Sequence, residues 1–257
     1  MAQHRIRNRF DLTGRVAVIT GSSKGIGEAM ARGLAEFGAH VVVSSRDQKA
    51  VDAVAEGYRA DGLQATAIAC HVGDADDRRR LIEQTVASCG RLDILINNAA
   101  TNPYFGPIEG LTAEAYQKTL DVNLTAALEL SNLALPHLRK SGHGSVIHIS
   151  SIEGLHANPN FAAYNISKAG VIMLGKSQAR EWAVDNVRVN VICPGLVKTK
   201  LSRALWENEQ LAEHFVQSIP LGRMAVPDEL AGLACWLAGE GASYVTGGVF
   251  VADGGML

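Results

Sequence analysis

Tyr164 and Lys168 form a pair of side chains whose types and spacing could move a proton. They stand four positions apart at the start of a predicted helix, so both side chains project onto one face of it. A phenol has an unperturbed pKa of about 10, which is too high for proton exchange near neutral pH, and a nearby ammonium would favour the phenolate. The pair could therefore exchange a proton with a substrate oxygen, although it also fits an ordinary helix surface.

A second pattern is the glycine-rich turn Thr20-Gly21-Ser22-Ser23-Lys24-Gly25-Ile26-Gly27, which lies between a predicted strand and a predicted helix. Glycines let backbone amides approach a pyrophosphate closely, and the helix N-terminus adds a partial positive charge at the same point. Alone, such a turn is weak evidence for a phosphate site, because it also serves as a simple strand-to-helix connection.

The glycine turn and further motifs resemble the short-chain dehydrogenase/reductase family. The turn reads Thr-Gly-x-x-x-Gly-x-Gly, and four more elements follow it in the family's order. These are Asn97-Asn98-Ala99-Ala100 after strand four, Asn123 in a helix, Tyr164-Asn165-Ile166-Ser167-Lys168, and Pro194-Gly195 at the end of strand six. The resemblance covers residues 12–255, and the ordered set is far more specific than any single member.

The resemblance implies an oxidoreductase that transfers hydride between a nicotinamide dinucleotide and a carbonyl or secondary alcohol. It selects Ser151, thirteen residues before Tyr164, over its neighbour Ser150. The implied catalytic residues are Asn123, Ser151, Tyr164 and Lys168. Ser151 would hold the substrate oxygen, Tyr164 would act as general acid and base, and Lys168 would also hold the nicotinamide ribose. Asn123 would hold a water that leads to solvent, or would simply cap a helix.

The end of the second strand indicates a preference for NADP(H). NAD enzymes of this fold carry an acid there for the ribose hydroxyls, whereas here Ser45 occupies that position and Arg46 follows. The Arg46 guanidinium suits a 2′-phosphate, and Lys24 could add a second charge. Arg46 could also be a solvated loop cation that Asp47 partly neutralises.

The cofactor-binding set predicted from these motifs is larger. It comprises Gly21, Ser23, Lys24, Gly25, Ile26, Gly27, Ser45, Arg46, His71, Val72, Asn98, Ala99, Tyr164, Lys168, Pro194, Gly195, Val197 and Thr199. His71 stands where the family often has an acid and could contact the adenine, although it could equally be a surface histidine. Thr199 is placed to meet the nicotinamide carboxamide, or to cap a helix.

Predicted substrate contacts come from aromatic and acidic residues near the motifs: Tyr104, Phe105, Glu153, Phe161 and Trp206. Such a lining suits a medium-sized apolar or aromatic ketone, but the same side chains could pack a lid against the domain. Residues 102–110 and 70–73 resemble the carbonyl and retinal reductase branch of the family.

The elements that must position these residues alternate between short apolar strands and longer segments of helical period. Predicted strands are 16–20, 40–45, 65–69, 94–97, 145–150, 188–192 and 249–252, and predicted helices are 25–37, 48–60, 75–88, 114–139, 164–184 and 228–238. This pattern predicts an α/β fold, a doubly wound Rossmann-type parallel sheet of about seven strands with helices on both faces. Residues 1–257 would form a single domain, with 196–224 as a substrate lid.

Composition narrows the class of protein. The formal net charge is −2 and no basic stretch stands out, so nucleic acid is not an expected partner. The eight histidines and four cysteines show no metal-ligand spacing, and no disulfide framework is evident. No apolar run has the length of a membrane helix or a secretory signal. We expect a cytoplasmic enzyme of small molecules without a metal, and the resemblance implies a homotetramer or homodimer.

Two other functions stay open at this point. Many relatives with these motifs reduce 3-oxoacyl groups on a carrier protein, which would require a basic docking patch; Arg203 and Arg223 do not make a convincing one. A dinucleotide-binding redox sensor without chemistry is the alternative of another class. Such relatives typically lose the tyrosine or the lysine, and this sequence keeps both.

Overall fold

The computed structural model describes residues 6–207 and 209–257, which form a parallel β-sheet covered by helices on both faces. The strands are β1 (Val16–Thr20), β2 (His40–Ser44), β3 (Ala65–Ala67), β4 (Ile94–Asn97), β5 (Ser145–Ile149), β6 (Arg188–Pro194) and β7 (Val249–Ala252). Their order in the sheet is β3-β2-β1-β4-β5-β6-β7, and every neighbouring pair is parallel. The predicted doubly wound α/β fold is therefore confirmed; positions 1–5 and 208 of the predicted domain and lid lie outside the described residues.

The α-helices connect the strands and cover the sheet. They are α1 (Gly25–Glu36), α2 (Gln48–Ala60), α3 (Ala75–Cys89), α4 (Ala113–Leu120), α5 (Ala126–Ser141), α6 (Ala162–Trp182), α7 (Arg203–Trp206), α8 (Glu209–Gln217) and α9 (Asp228–Ala238). Buried side chains of α1, α2 and α9 pack on one face, and those of α3, α5 and α6 pack on the other.

Strand β1 shows why the strands are apolar throughout. Ala17 and Ile19 belong to the core beneath α1 and α9, whereas Val16 and Val18 belong to the core beneath α3 and α5. Successive side chains of a strand point to opposite faces, so a strand between two helical layers needs apolar residues at every position. All five residues of β1 are buried.

The strand order reverses between β1 and β4. The chain crosses from β1 outward to β2 and β3, and then returns to place β4 on the other side of β1. Connections that leave in opposite directions open a crevice at the carboxyl ends of these two strands, where ligands bind in sheets of this kind. The loops that follow β1 and β4 carry the glycine turn and Asn98.

Several predicted elements end at other residues in the structure, and one predicted helix is divided. The predicted helix 114–139 is two helices joined by a π-helical turn, Asp121–Thr125, because the Ala126 amide bonds back to the Asp121 carbonyl. Strand β3 ends at Ala67, and the Ala69 amide beyond it donates to the Gln48 side chain instead. The excursion 196–224 contains two short helices, and its base is closed where Val197 pairs with Ala225.

None of the helices in residues 6–207 and 209–257 has the length and apolarity needed to cross a membrane.

Candidate active site

The glycine turn between β1 and α1 adopts a backbone shape that requires glycine. Gly21 has φ of +66° and Gly25 has φ of +62°, the left-handed region that other residues seldom adopt. A Cβ at Gly27 would lie 2.5 Å from the Gly21 carbonyl oxygen and closer still to the Asn98 side chain. The turn therefore folds back on itself with no room for a side chain at Gly27.

The loop after β4 holds this turn in place. The Asn98 side-chain amide donates to the carbonyl of Thr20 at 2.8 Å and to that of Gly21 at 3.1 Å. In return, the Thr20 hydroxyl accepts from the backbone amides of Asn98 and Ala99, each at 3.0 Å. These reciprocal bonds fix the glycine turn relative to the neighbouring strand.

The N-terminus of α1 fits an anionic ligand. Its capping residue is Lys24, whose side chain makes no capping hydrogen bond, so the first amides of the helix are not satisfied by a side chain from that position. Lys24 is exposed, and among the described residues a hypothetical Cβ at Gly25 would meet the Thr199 side chain, at 3.5 Å or more. The amides at the start of α1, the helix dipole and an N-cap without a capping side chain together suit the pyrophosphate of a dinucleotide.

The end of β2 presents a cation beside this turn. Arg46 is exposed, and within the described part of the chain neither it nor Lys24 forms an ion pair. Asp47 instead caps α2, because its carboxylate accepts from the amides of Lys49 and Ala50. His71 is exposed and its Nδ1 accepts from the Gly73 amide, whereas the neighbouring Val72 is buried.

Lys168 and Tyr164 lie one turn apart near the start of α6. The Lys168 ammonium donates to the carbonyl of Ile149 at the end of β5, at 2.8 Å, and lies 5.5 Å from the centre of the Tyr164 ring. The Ser150 hydroxyl donates to the Lys168 carbonyl at 2.7 Å and thereby ties α6 to β5. The two titratable groups are therefore held at the carboxyl end of the sheet.

Burial shifts the pKa of both groups in the direction that favours the neutral form of each. It raises the pKa of Tyr164 to about 12, a rise that the Ser151 side chain opposes and the charge of Glu153 reinforces. It lowers the pKa of Lys168 to about 8. With a pKa of about 12, the Tyr164 phenol is protonated at neutral pH, as a proton donor to a carbonyl oxygen must be.

Asn123 lies in the π-helical turn and is 3% exposed. Its side-chain oxygen accepts from the Thr101 amide at 2.8 Å, and its amide donates to the Thr101 carbonyl and to the Ser167 hydroxyl, both at 3.0 Å. Asn123 thus connects the loop after β4 to α6, next to Lys168. A π-helical turn inside an α-helix often marks a functional site.

A cavity of about 180 Å³ opens where these elements meet. It is lined by Ile26, Asn98, Ala100, Asn102, Ile149, Ser150, Ser151, Ile152, Glu153, Phe161, Tyr164, Lys168, Pro194, Gly195, Leu196, Val197, Thr199, Leu201, Ser202, Leu205, Phe215 and Met256. The glycine turn, the end of β5, the start of α6 and the excursion after β6 all contribute. A phenol, an ammonium and a serine hydroxyl thus face one cavity beside a phosphate cradle.

Comparison with known proteins agrees with this arrangement. Residues 21–257 match the family model described as Enoyl-(Acyl carrier protein) reductase. The human protein Dehydrogenase/reductase SDR family member 4 is 43% identical over 255 residues, which cover 99% of this chain and 92% of that protein. The rabbit (Oryctolagus cuniculus) protein of the same name is 42% identical, with coverage of 99% and 98%. The chain belongs to the short-chain dehydrogenase/reductase family.

Solved structures of this family share the fold. The crystal structure of a gluconate 5-dehydrogenase from Burkholderia cenocepacia, in complex with NADP and tartrate, superposes with a TM-score of 0.94, 33% identity and 98% coverage of both chains. A short-chain type dehydrogenase/reductase from Mycobacterium marinum gives a TM-score of 0.92 at 34% identity, with coverage of 98% of this chain and 99% of that one. The oxidoreductase family of the chain is therefore established.

The cavity contains part of each set that the motifs of this family predicted. It includes Ser151, Tyr164 and Lys168 from the catalytic set, Ile26, Asn98, Pro194, Gly195, Val197 and Thr199 from the cofactor set, and Glu153 and Phe161 from the substrate set. The remaining cofactor residues lie along the glycine turn, after β2, around His71 and, for Ala99, in the loop after β4; Asn123 contacts Ser167, the residue before Lys168. The Thr199 hydroxyl accepts from the Ser202 amide at 3.3 Å, but Ser202 is itself the N-cap of α7, so Thr199 closes the turn that precedes the helix and does not cap it.

Three predicted substrate residues lie outside the cavity lining as described. The Tyr104 hydroxyl donates to the Pro107 carbonyl at 2.7 Å, which turns it into its own loop. Phe105 is 59% exposed and packs edge-on against Phe161, with ring centres 4.8 Å apart. The Trp206 indole donates to the Thr199 carbonyl at 3.0 Å. This bond holds α7 against the part of the excursion that precedes it.

Sequence reasoning did not single out other residues of the lining, namely Ala100, Ile149, Ser150, Ile152, Leu196, Ser202, Phe215 and Met256. Met256 had a signal that could have found it, because it follows the last strand of a parallel sheet. The carboxyl ends of all such strands meet at one edge, so the chain after β7 must start beside the site. Phe215 lies in the predicted lid 196–224, but no feature of the sequence distinguishes it from the rest of that segment.

Proposed function

We propose that this protein transfers hydride between NADP(H) and a ketone or secondary alcohol, with Tyr164 as the general acid and base. The observation that carries the proposal is the convergence of Ser151, Tyr164 and Lys168 on one cavity at the carboxyl edge of the sheet. When bound, the nicotinamide would supply or accept the hydride. The protein would position the reacting carbon and manage the proton.

In reduction, the Tyr164 phenol would give its proton to the carbonyl oxygen as negative charge develops there. Ser151 would hold that oxygen by a hydrogen bond, which orients the carbonyl and stabilises its charge. In oxidation, the phenol must first lose its proton, so its raised pKa has to fall in the loaded site. The Lys168 ammonium, 5.5 Å from the ring centre, is the cation that favours the phenolate.

Asn123 and Lys168 would complete the proton path. The Asn123 side chain is fully engaged with Thr101 and Ser167, which fixes the π-helical turn against α6. We propose that this turn holds a water that connects Lys168 with solvent. Lys168 would also bind the nicotinamide ribose.

The preference for the phosphorylated cofactor rests on Arg46 and Lys24. Ser45 leaves no carboxylate to repel a 2′-phosphate, and Asp47 is engaged in capping α2 rather than in an ion pair with Arg46. Both cations are exposed beside the cradle. A guanidinium gives a phosphate two parallel hydrogen bonds, which favours NADP(H) over NAD(H).

Residues 196–224 would serve as a lid within a single catalytic domain. The pairing of Val197 with Ala225 joins the two ends of the excursion. Between these ends, Leu201, Leu205 and Phe215 line the cavity. A segment that is anchored at its base and packed over a site can close on a substrate and exclude water.

We further propose a cytoplasmic homotetramer or homodimer. Its four cysteines are all unpaired, which fits a reducing compartment. Ile166 and Met173 on α6 and Tyr244 and Val251 near β7 are exposed apolar side chains that a second copy could cover. Light scattering would test the assembly, and a monomer would contradict it.

The direct test is a screen of ketones with NADPH and NADH, followed by loss of absorbance of the reduced nicotinamide. We expect turnover of medium-sized apolar or aromatic ketones and a higher kcat/KM with NADPH. Equal or better use of NADH would contradict the assignment of Arg46. Tight NADPH binding without turnover of any carbonyl would favour a redox sensor.

Reduction of an acyl group on a carrier protein is the second candidate. The description of the matched family model names an enoyl group on an acyl carrier protein, and the carrier-bound substrate is the observation that favours this candidate. Both arginines lie in the excursion, where Arg223 forms an ion pair with Glu229 and Arg203 forms one with Glu207, so these cations are already partly neutralised. Turnover of a 3-oxoacyl carrier-protein thioester well above that of simple ketones would establish this alternative.

A further inference from the structure

Glu153 places a carboxylate in the cavity two residues after Ser151. It belongs to a short 3₁₀ turn, Ile152–Gly154, that packs directly on α6. A Cβ at Gly154 would lie 2.7 Å from the backbone carbonyl of Lys168, so the turn and the helix are in close contact. The position of Glu153 is therefore fixed relative to the Tyr164 and Lys168 turn of α6.

Asn158 holds both oxygens of this carboxylate. Its side-chain amide donates to Oε1 at 2.6 Å, and its backbone amide donates to Oε2 at 3.3 Å. The Asn158 carbonyl in turn accepts from the Asn165 side chain at 3.0 Å, next to Tyr164. Glu153 is thus oriented by a clamp that is itself anchored on α6.

No cation in the described part of the chain forms an ion pair with Glu153. Among the lining residues the other charged side chain is Lys168, whose ammonium donates to the Ile149 carbonyl. The charge of Glu153 acts on the cavity, since it contributes to the raised pKa of Tyr164. A ligand in the cavity therefore meets a negative charge that no protein cation offsets at contact distance.

Asn102 adds a second acceptor to the same lining. Its side-chain oxygen is buried and has no hydrogen-bond partner among the residues that the structure describes. A buried acceptor without a partner costs free energy, so a ligand that donates a hydrogen bond there gains the bond and removes that cost. Two acceptors and no free donor cation favour a donor-bearing substrate.

We propose that Glu153 is a specificity-determining residue that excludes carboxylate-bearing ketones and admits neutral ketones or those that carry an ammonium or hydroxyl donor. The inference rests on the proposed function for the reaction itself. Its physical basis is that a second carboxylate brought into the cavity would face Glu153 with little water between, where like charges repel strongly. Carboxylates are excluded here by a repulsive element, and the Asn102 oxygen adds an attraction for a donor-bearing substrate.

A matched set of three ketones tests the proposal: 4-acetylbenzoate, 4-acetylbenzamide and 4-(aminomethyl)acetophenone, which differ in the charge at one end. We expect the wild-type protein to prefer the amide over the carboxylate by about tenfold or more in kcat/KM. In Glu153→Gln this preference should fall by about tenfold, because the carboxylate compound gains. Glutamine keeps an acceptor for Asn158. Glu83→Gln, an exposed position of α3, removes the same charge outside the cavity and should retain the preference.

Binding of the three compounds to the NADP⁺-loaded protein, measured by calorimetry, separates this proposal from the proposed function. The same preference should appear in the dissociation constants and should again fall in Glu153→Gln. Equal preferences in wild type and Glu153→Gln would overturn the role of Glu153, whether or not the ketones are reduced. A binding preference that Glu153→Gln removes, without turnover of any compound, would support Glu153 and contradict the reaction. No binding of the amide would contradict both.

Discussion

The Lys168 ammonium lies 5.5 Å from the centre of the Tyr164 ring and donates to the Ile149 carbonyl at 2.8 Å. The two groups are shifted in opposite directions, since burial raises the pKa of Tyr164 to about 12 and lowers that of Lys168 to about 8. Each shift favours the neutral form of its group. A bound ligand that carries charge can therefore change the protonation of both groups.

Lys168→Met should change how stability depends on pH. The unfolded chain holds a proton on Lys168 up to about pH 10.4, whereas the folded chain releases it near pH 8. Between these values the unfolded state binds more protons, so this group makes the free energy of unfolding rise with pH, by at most about 1.4 kcal/mol per unit. In urea unfolding from about pH 7 to about pH 10, the slope measured for wild type should exceed the slope measured for Lys168→Met by up to that amount. Identical slopes would contradict a buried lysine with a lowered pKa.

Gly27→Ala should damage the phosphate cradle. The added methyl would lie 2.5 Å from the Gly21 carbonyl and would displace the Asn98 side chain. We expect a loss of about 1–3 kcal/mol in the free energy of unfolding and weaker NADPH binding, measured by chemical denaturation and by fluorescence titration. Gly57→Ala is the matched control, because nothing lies within 4 Å of its hypothetical Cβ on α2. It should gain about 0.5–1 kcal/mol and bind NADPH as wild type does. Similar losses of stability and of NADPH affinity in both variants would contradict a specific role of Gly27 in the phosphate cradle.

Arg46→Ala should reduce discrimination between the two cofactors. A hydrogen bond between charged groups contributes about 1.5–3 kcal/mol, so kcat/KM for NADPH should fall by about 10- to 100-fold, with a much smaller effect on NADH. Lys49→Ala removes an exposed cation three residues away and should keep the preference. If Arg46→Ala lowers both cofactors equally, Arg46 does not recognise the 2′-phosphate.

The fold was predictable because its signals are local. Apolar runs such as Val16–Thr20 indicate strands that are buried on both faces, and the glycine turn marks where the first helix must begin. The break between α4 and α5 was not predictable. The register of the backbone bonds changes at Asp121–Thr125, while the side chains continue a helical pattern, so periodicity shows one helix.

The site was predictable where a motif fixes both residue type and spacing, as at Tyr164, Lys168 and the glycine turn. It was not predictable where a side chain could reach either the cavity or a nearby backbone acceptor. Tyr104 and Trp206 are of residue types common in pockets, yet neither is among the residues that line the cavity. Each donates its polar hydrogen to a backbone carbonyl instead. Met256 enters the site through the parallel topology of β7, a property of the whole chain.

Turnover of Tyr164→Phe tests the central claim most directly. The variant keeps the ring against Lys168 and Phe161 but removes the hydroxyl that would move the proton. With NADPH and the best ketone of the screen, kcat should fall by about 100-fold or more, while fluorescence titration shows NADPH affinity close to that of wild type. Turnover within about tenfold of wild type, with the cofactor still bound, would contradict Tyr164 as the proton donor.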